Sequence, residues 1–63
     1  MNPIKILIAD DHKIVRIGLK AVLDYEQDFE VIGEATNGSQ VVAETIRLHP
    51  DIIIMDLVMP KKD

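Results

Sequence analysis

Ile52, Ile53, Ile54 and Met55 form an unbroken apolar run that Asp51 opens, Asp56 closes and Pro60 soon follows. A strand with one wet face alternates apolar and polar residues, so a continuous run reads as a strand covered on both faces. Strands of that kind belong to parallel sheets, which place ligands in the crevice beyond their carboxyl ends. Asp56 stands at such an end, so the run asks for a layered fold and delivers a carboxylate to its rim.

The stretch from Ile4 to Ala9 is of the same type, nearly continuous in apolar residues after Lys5, and it ends on Asp10 and Asp11. Beyond it, Ile14, Val15, Gly18, Leu19, Val22 and Leu23 recur at helical spacing while Lys13, Arg16 and Lys20 fall off that stripe. An amphipathic helix is predicted there, with Asp11 or His12 preceding its first turn. An acid at that point suits both N-capping and the positive end of the helix dipole. Residues 25–28 lose the period and form a connection.

From Phe29 to Ala35 the pattern alternates, with Phe29, Val31, Gly33 and Ala35 on one side and Glu30 and Glu34 on the other, as in a half-exposed edge strand. Asn37-Gly38 is turn chemistry, and Ser39 is a candidate cap for a second helix. That helix is expected to carry Val42, Ala43 and Ile46 on its apolar face, with Val41, Thr45 and Leu48 broadening it. Pro50 ends it near Leu48 or His49.

Strand, helix, strand, helix, strand implies a parallel sheet with helices packed on it. Right-handed crossovers put the two helices on opposite faces if the first strand lies between the others. The order 2-1-3 results, because the alternating strand suits an edge and the continuous ones want cover. Asp10, Asp11 and Asp56 then meet at one crevice beside the switch point. Like charges that close repel, and a cation relieves them. With oxygen donors, no cysteine and no histidine pair at zinc spacing, a hard ion such as Mg²⁺ is expected. Singly, Asp11 reads as a helix cap, Asp56 as a turn acid, and His12 as a solvated first-turn residue. Their joint placement carries the weight.

Composition sets the remaining bounds. At 63 residues the chain is short beside the ~100–150 typical of a domain, and it is expected to need a partner to complete its core. A net charge of −4 gives no basic footprint for nucleic acid. No apolar run approaches the ~18 residues of a membrane span, and the absence of cysteine accords with a reducing cytoplasm, the expected location. No glycine-rich loop comes after the first strand, and Asp10-Asp11 there would repel a dinucleotide's pyrophosphate.

The motifs Ile6-Leu7-Ile8-Ala9-Asp10-Asp11-His12, Val15-Arg16-Ile17-Gly18-Leu19, Val31-Ile32-Gly33-Glu34-Ala35, Asn37-Gly38 and Pro50 to Pro60 occur in an order that resembles the receiver domain of two-component response regulators. Their phrasing is most similar to the NarL/FixJ subfamily. The resemblance covers the whole chain and implies a flavodoxin-like α/β/α sandwich, for which the order 2-1-3-4-5 is known, including in the chemotaxis receiver. It implies that Asp56 is the phosphoacceptor, taking a phosphoryl group from the phosphohistidine of a sensor histidine kinase. It also implies that Asp11 ligates Mg²⁺ directly, that Asp10 acts through water, and that Asp56 and the backbone carbonyl of Val58 complete the metal site. Such a receiver assists its own phosphorylation without being an enzyme in its own right. In the NarL/FixJ subfamily it controls a helix-turn-helix DNA-binding domain, so DNA is contacted only through an output domain.

The match stops after the third strand, so residues 1–63 are expected to form a partial receiver. The family's hydroxyl residue after strand four and lysine after strand five have no counterpart in the chain. Weak Mg²⁺ binding and poor phosphate uptake are expected, together with self-association through the uncovered edge of the third strand. Two other readings stand beside this one. An assembly or domain-swapping half-domain needs no phosphorylation. An aspartate-nucleophile phosphotransferase or phosphatase often has a second acid two residues after the nucleophile, where this chain has Val58.

Overall fold

The computed structural model describes residues 2–57 and contains five elements: β1 (Ile4–Asp10), α1 (Lys13–Tyr25), β2 (Phe29–Ala35), α2 (Gly38–Leu48) and β3 (Ile52–Asp56). The three strands are parallel in the order β2-β1-β3, as the alternating and continuous patterns required. β1 is the spine: Ile6, Leu7, Ile8, Ala9 and Asp10 are all buried, and with Ala35 and Val41 they account for every buried residue among those described.

β2 departs from simple alternation. Its register against β1 shifts between Ile6 and Leu7, which pair with Val31 and Gly33 and leave Ile32 as an extra residue. An inserted residue moves everything after it to the other side of the pleat. Phe29 and Val31 therefore lie level with Ile4 and Ile6, whereas Gly33 and Ala35 lie with Leu7 and Ala9 on the opposite face. Single-sided alternation through Ala35 is corrected accordingly. The shift has two results: it turns Glu34 toward Arg16 of α1, and it places Gly33 under α2. A Cβ on Gly33 would come within 2.6 Å of a Leu48 methyl and 3.3 Å of a Leu7 methyl, so a side chain there would force the Leu48 side chain to shift.

Each helix meets the sheet along only part of the apolar face expected of it. In α2 the sheet-facing positions are Val41, Glu44, Thr45 and Leu48, while Val42, Ala43 and Ile46 are exposed. In α1 no residue is fully buried: Leu19 and Leu23 are half-buried, and Ile14, Val15, Gly18 and Val22 are exposed among the described residues. Arg16, expected to point away, instead lies against the sheet with its side chain 15% exposed. Apolar residues spread round more than half of each helix, so periodicity alone does not fix which arc meets the sheet.

The caps also differ from those expected. Asn37, not Ser39, caps α2, its side chain accepting a hydrogen bond from the Gln40 amide at 2.9 Å. At the other end His49 sits in the left-handed region at φ 51°, the one positive-φ residue among those described, and its amide reaches the Thr45 carbonyl. Glycine adopts that conformation with the least strain. His49→Gly is expected to raise stability by about 0.5–1 kcal/mol, since relief of strain outweighs the extra freedom of the unfolded chain. A urea titration that shows no gain would locate the strain elsewhere.

Candidate functional site

The carboxyl ends of β1 and β3 meet at one rim, where Asp10 and Asp56 are register partners on adjacent parallel strands. Asp10 is wholly buried. Its Oδ1 accepts a hydrogen bond from the His12 backbone amide at 2.7 Å, which folds the chain back from strand into helix. This leaves Asp11 projecting from the bend with its side chain 37% exposed. No side chain caps the α1 N-terminus, so the expected capping role of Asp11 or His12 is not realised: His12 occupies the cap position by its backbone alone.

Arg16 braces this rim from the first turn of α1. Its guanidinium donates to the Asp10 carbonyl at 2.9 Å and to Glu34 Oε1 at 3.1 Å, joining α1, β1 and β2 at the point where they enter the crevice. A planar fork of donors can satisfy a carbonyl and a carboxylate together, which an ammonium does less well. Arginine at position 16 gives no sign of this in the sequence beyond being a cation six residues after an acid.

The imidazole of His12 turns inward. Nδ1 lies 2.9 Å from Asp11 Oδ1 and 3.2 Å from Asp10 Oδ1, and the donor atoms of Asp10, Asp11 and His12 all fall within 4.8 Å of one another. His12 is solvated, as expected of it, with its side chain 63% exposed, but one edge of the ring faces the two carboxylates. Against this, Asp10 Oδ2 is buried with no hydrogen-bond partner among the described residues. An unsatisfied buried acceptor costs about 1–3 kcal/mol, more if charged, and such groups persist where a ligand uses them. One buried and one exposed carboxylate, crowded together with a free oxygen, fit a hard divalent cation.

Asp56 shares the rim without joining that 4.8 Å group; it is exposed, and no ion pair or side-chain hydrogen bond reaches its carboxylate among the described residues. Beside it opens a largely apolar crevice of ≈ 410 Å³ between the start of α2 and the end of β3, lined by Gly38, Val41, Val42, Met55, Asp56 and Leu57. Nothing in the sequence pattern links Gly38, Val41 or Val42 to Asp56. Val58, whose carbonyl the family resemblance assigns to the metal, lies outside the described residues.

Residues 6–63 match the response regulator receiver domain. The chain belongs to that family. Among curated proteins, the transcriptional regulatory protein LiaR of Bacillus subtilis is 52% identical over 60 residues, and the response regulator protein VraR of Staphylococcus aureus is 45% identical over 60 residues. These alignments take in 95% of this chain but 28% and 29% of the relatives, so the chain spans less than a third of their length. The response regulator domain of Thermotoga maritima CheB superposes with a TM-score of 0.88 at 38% identity, over 95% of this chain and 45% of that one. The receiver's sheet order and crossovers are therefore those of a flavodoxin-like fold, with three strands and two helices of it described. No helix among the described residues is long and apolar enough to cross a membrane.

Proposed function

We propose that this receiver accepts a phosphoryl group from a sensor histidine kinase onto Asp56, with Mg²⁺ held by Asp10, Asp11, Asp56 and the Val58 carbonyl. The observation that carries the reading is the rim itself, where a buried acid with a free oxygen and an exposed acid end adjacent parallel strands. In the transfer an Asp56 oxygen attacks phosphorus, the phosphorus–nitrogen bond to the kinase histidine breaks, and the imidazole leaves carrying a proton. Bound Mg²⁺ supplies charge neutralisation to the phosphoryl oxygens. The residues of this chain supply position: Arg16 and the His12 amide fix Asp10, and the strand register sets Asp56 beside it. Positioning and electrostatics supply most of the catalysis in phosphoryl transfer, so little else is needed of the protein.

Residues 1–63 are read as the first part of a cytoplasmic receiver whose parent binds DNA through a separate helix-turn-helix domain. Similarity to LiaR, a transcriptional regulatory protein, and to VraR, a response regulator, supports a regulator of transcription as the parent. The reading is tested by treating the chain with a small acyl phosphate and Mg²⁺ and mapping the product by mass spectrometry. The added phosphoryl group is expected on Asp56, and a map to any other residue overturns the assignment.

Cation binding has its own signature. Mg²⁺ at 100 times its dissociation constant stabilises a fold by about 2.7 kcal/mol. The thermal midpoint of the chain is therefore expected to rise with Mg²⁺, and Asp11→Asn should abolish the rise while leaving the metal-free fold as stable or more so, because repulsion at the rim falls. An Mg²⁺ response that survives Asp11→Asn would remove that residue from the site.

A second feature supports self-association. β3 is an edge strand among the described residues, with Ile52 44% and Met55 58% exposed. An uncovered apolar edge is a template for another chain. Light scattering is expected to give a dimer or larger species for the 63-residue chain; a monomeric mass over a wide concentration range counts against it.

A further inference from the structure

His12 has no duty that its fold requires. Its backbone supplies the cap position of α1, its side chain makes no cap hydrogen bond, and the side chain is 63% exposed. An imidazole with that freedom ordinarily points to water. Here Nδ1 is instead held against two carboxylates, 2.9 Å from Asp11 and 3.2 Å from Asp10. Next to it Asp10, with a side chain 1% exposed, keeps Oδ2 without a hydrogen-bond partner among the described residues. A nitrogen and the oxygens of two carboxylates thus converge within 4.8 Å from three successive residues, on backbone already fixed by the strand end and the His12 amide.

We propose that His12 is a protein donor to the cation site, so that the receiver takes a borderline first-row metal such as Co²⁺ or Zn²⁺ through imidazole nitrogen as well as oxygen. The inference rests on the cation reading of Asp10 and Asp11. Mg²⁺ is hard, prefers oxygen and keeps its waters, so it gains little from an imidazole. Co²⁺ and Zn²⁺ are well served by one. The same rim therefore has two coordination modes, one using carboxylates alone and one adding the His12 ring. Binding through Nδ1 uses the neutral tautomer whose single proton sits on Nε2, so that the Nδ1 lone pair faces the metal. No backbone movement is called for, because the donors are already gathered.

The test is a pair of metal titrations on the untagged 63-residue chain, Co²⁺ followed by its visible absorption and Mg²⁺ by calorimetry. His12→Ala and His12→Gln are each expected to weaken Co²⁺ by about tenfold or more while changing Mg²⁺ by less than about twofold. A merely structural role would move both metals together, so the ratio of the two affinities is the deciding readout. The other histidine, His49, caps the far end of α2, and His49→Asn serves as the control with no expected effect on the ratio. Equal weakening of both metals, or an unchanged Co²⁺ affinity in the His12 variants, overturns the proposal and leaves the cation site standing. Failure of either metal to bind, or binding that ignores Asp11→Asn, overturns the cation reading and this inference with it. Circular dichroism of each variant confirms that the exposed position has been changed without loss of fold.

Discussion

Asp56→Asn is expected to abolish phosphoryl uptake completely, bringing the labelling of the chain by a small acyl phosphate down to the background of untreated protein. The amide is nearly the shape of the carboxylate but has no oxygen able to attack phosphorus as an anion, so the loss is chemical and not structural. Asp56 is exposed and its carboxylate enters no ion pair or side-chain hydrogen bond among the described residues, so the substitution should change stability by no more than about 0.5 kcal/mol. Asp51, at the other end of β3, provides the comparison. Its Oδ2 accepts a hydrogen bond from the Lys5 amide at 2.9 Å, tying the start of β3 to β1. Asp51→Asn should therefore leave the labelled fraction of folded chain unchanged. Label that persists in Asp56→Asn, at any residue, would remove Asp56 from the phosphoacceptor role.

The same comparison bears on rate. Uptake by the wild-type chain is expected to be slow, because among the described residues no lysine or hydroxyl side chain pairs with Asp56 to neutralise an arriving phosphoryl group. Rapid, stoichiometric labelling of the 63-residue chain would mean that Asp10, Asp11 and the metal suffice for catalysis.

How much of this is legible in the sequence depends on whether backbone or side-chain geometry decides the outcome. The strand order comes from two kinds of pattern, continuous in β1 and β3 and alternating in β2, and it brings Asp10 and Asp56 into register. That much needs only burial and chain connectivity. The extra residue at Ile32 is illegible, since a bulge leaves the composition of a strand unchanged while reversing its faces. Its result, Glu34 meeting Arg16, is hidden for the same reason. His12 is solvated as its position suggests, and only the side-chain direction, which no sequence pattern fixes, sets one edge of its ring against two carboxylates. The helix stripes are legible in part: Val41 and Leu48 meet the sheet and Val42 does not, because apolar residues on both arcs of α2 leave periodicity unable to choose between them.

Leu7→Ala is expected to unfold the chain. Leu7 has no exposed surface, lies level with Ile53 and Gly33 across the two strand pairings, and approaches the Leu48 side of α2. Truncating a leucine in such a place removes about 2–5 kcal/mol, from lost burial and from the cavity left behind. Against that, a chain of this length carries roughly 3–9 kcal/mol of total stability at the usual value per residue, and short chains fall toward the lower end. The core has few members to share the loss, since Ile6, Leu7, Ile8, Ala9, Ala35 and Val41 are the buried apolar residues among those described. Ile46→Ala provides the contrast, for Ile46 is the same size class but 68% exposed, and its change should stay within about 0.5 kcal/mol. Urea unfolding monitored by circular dichroism, at dilutions low enough that association does not add stability, separates the two. Loss of the cooperative transition in Leu7→Ala, with its retention in Ile46→Ala, places the stability of the fold in β1. Equal effects would mean that the exposed faces of the helices are buried in solution, and so that the folded species is an oligomer whose core extends beyond one chain.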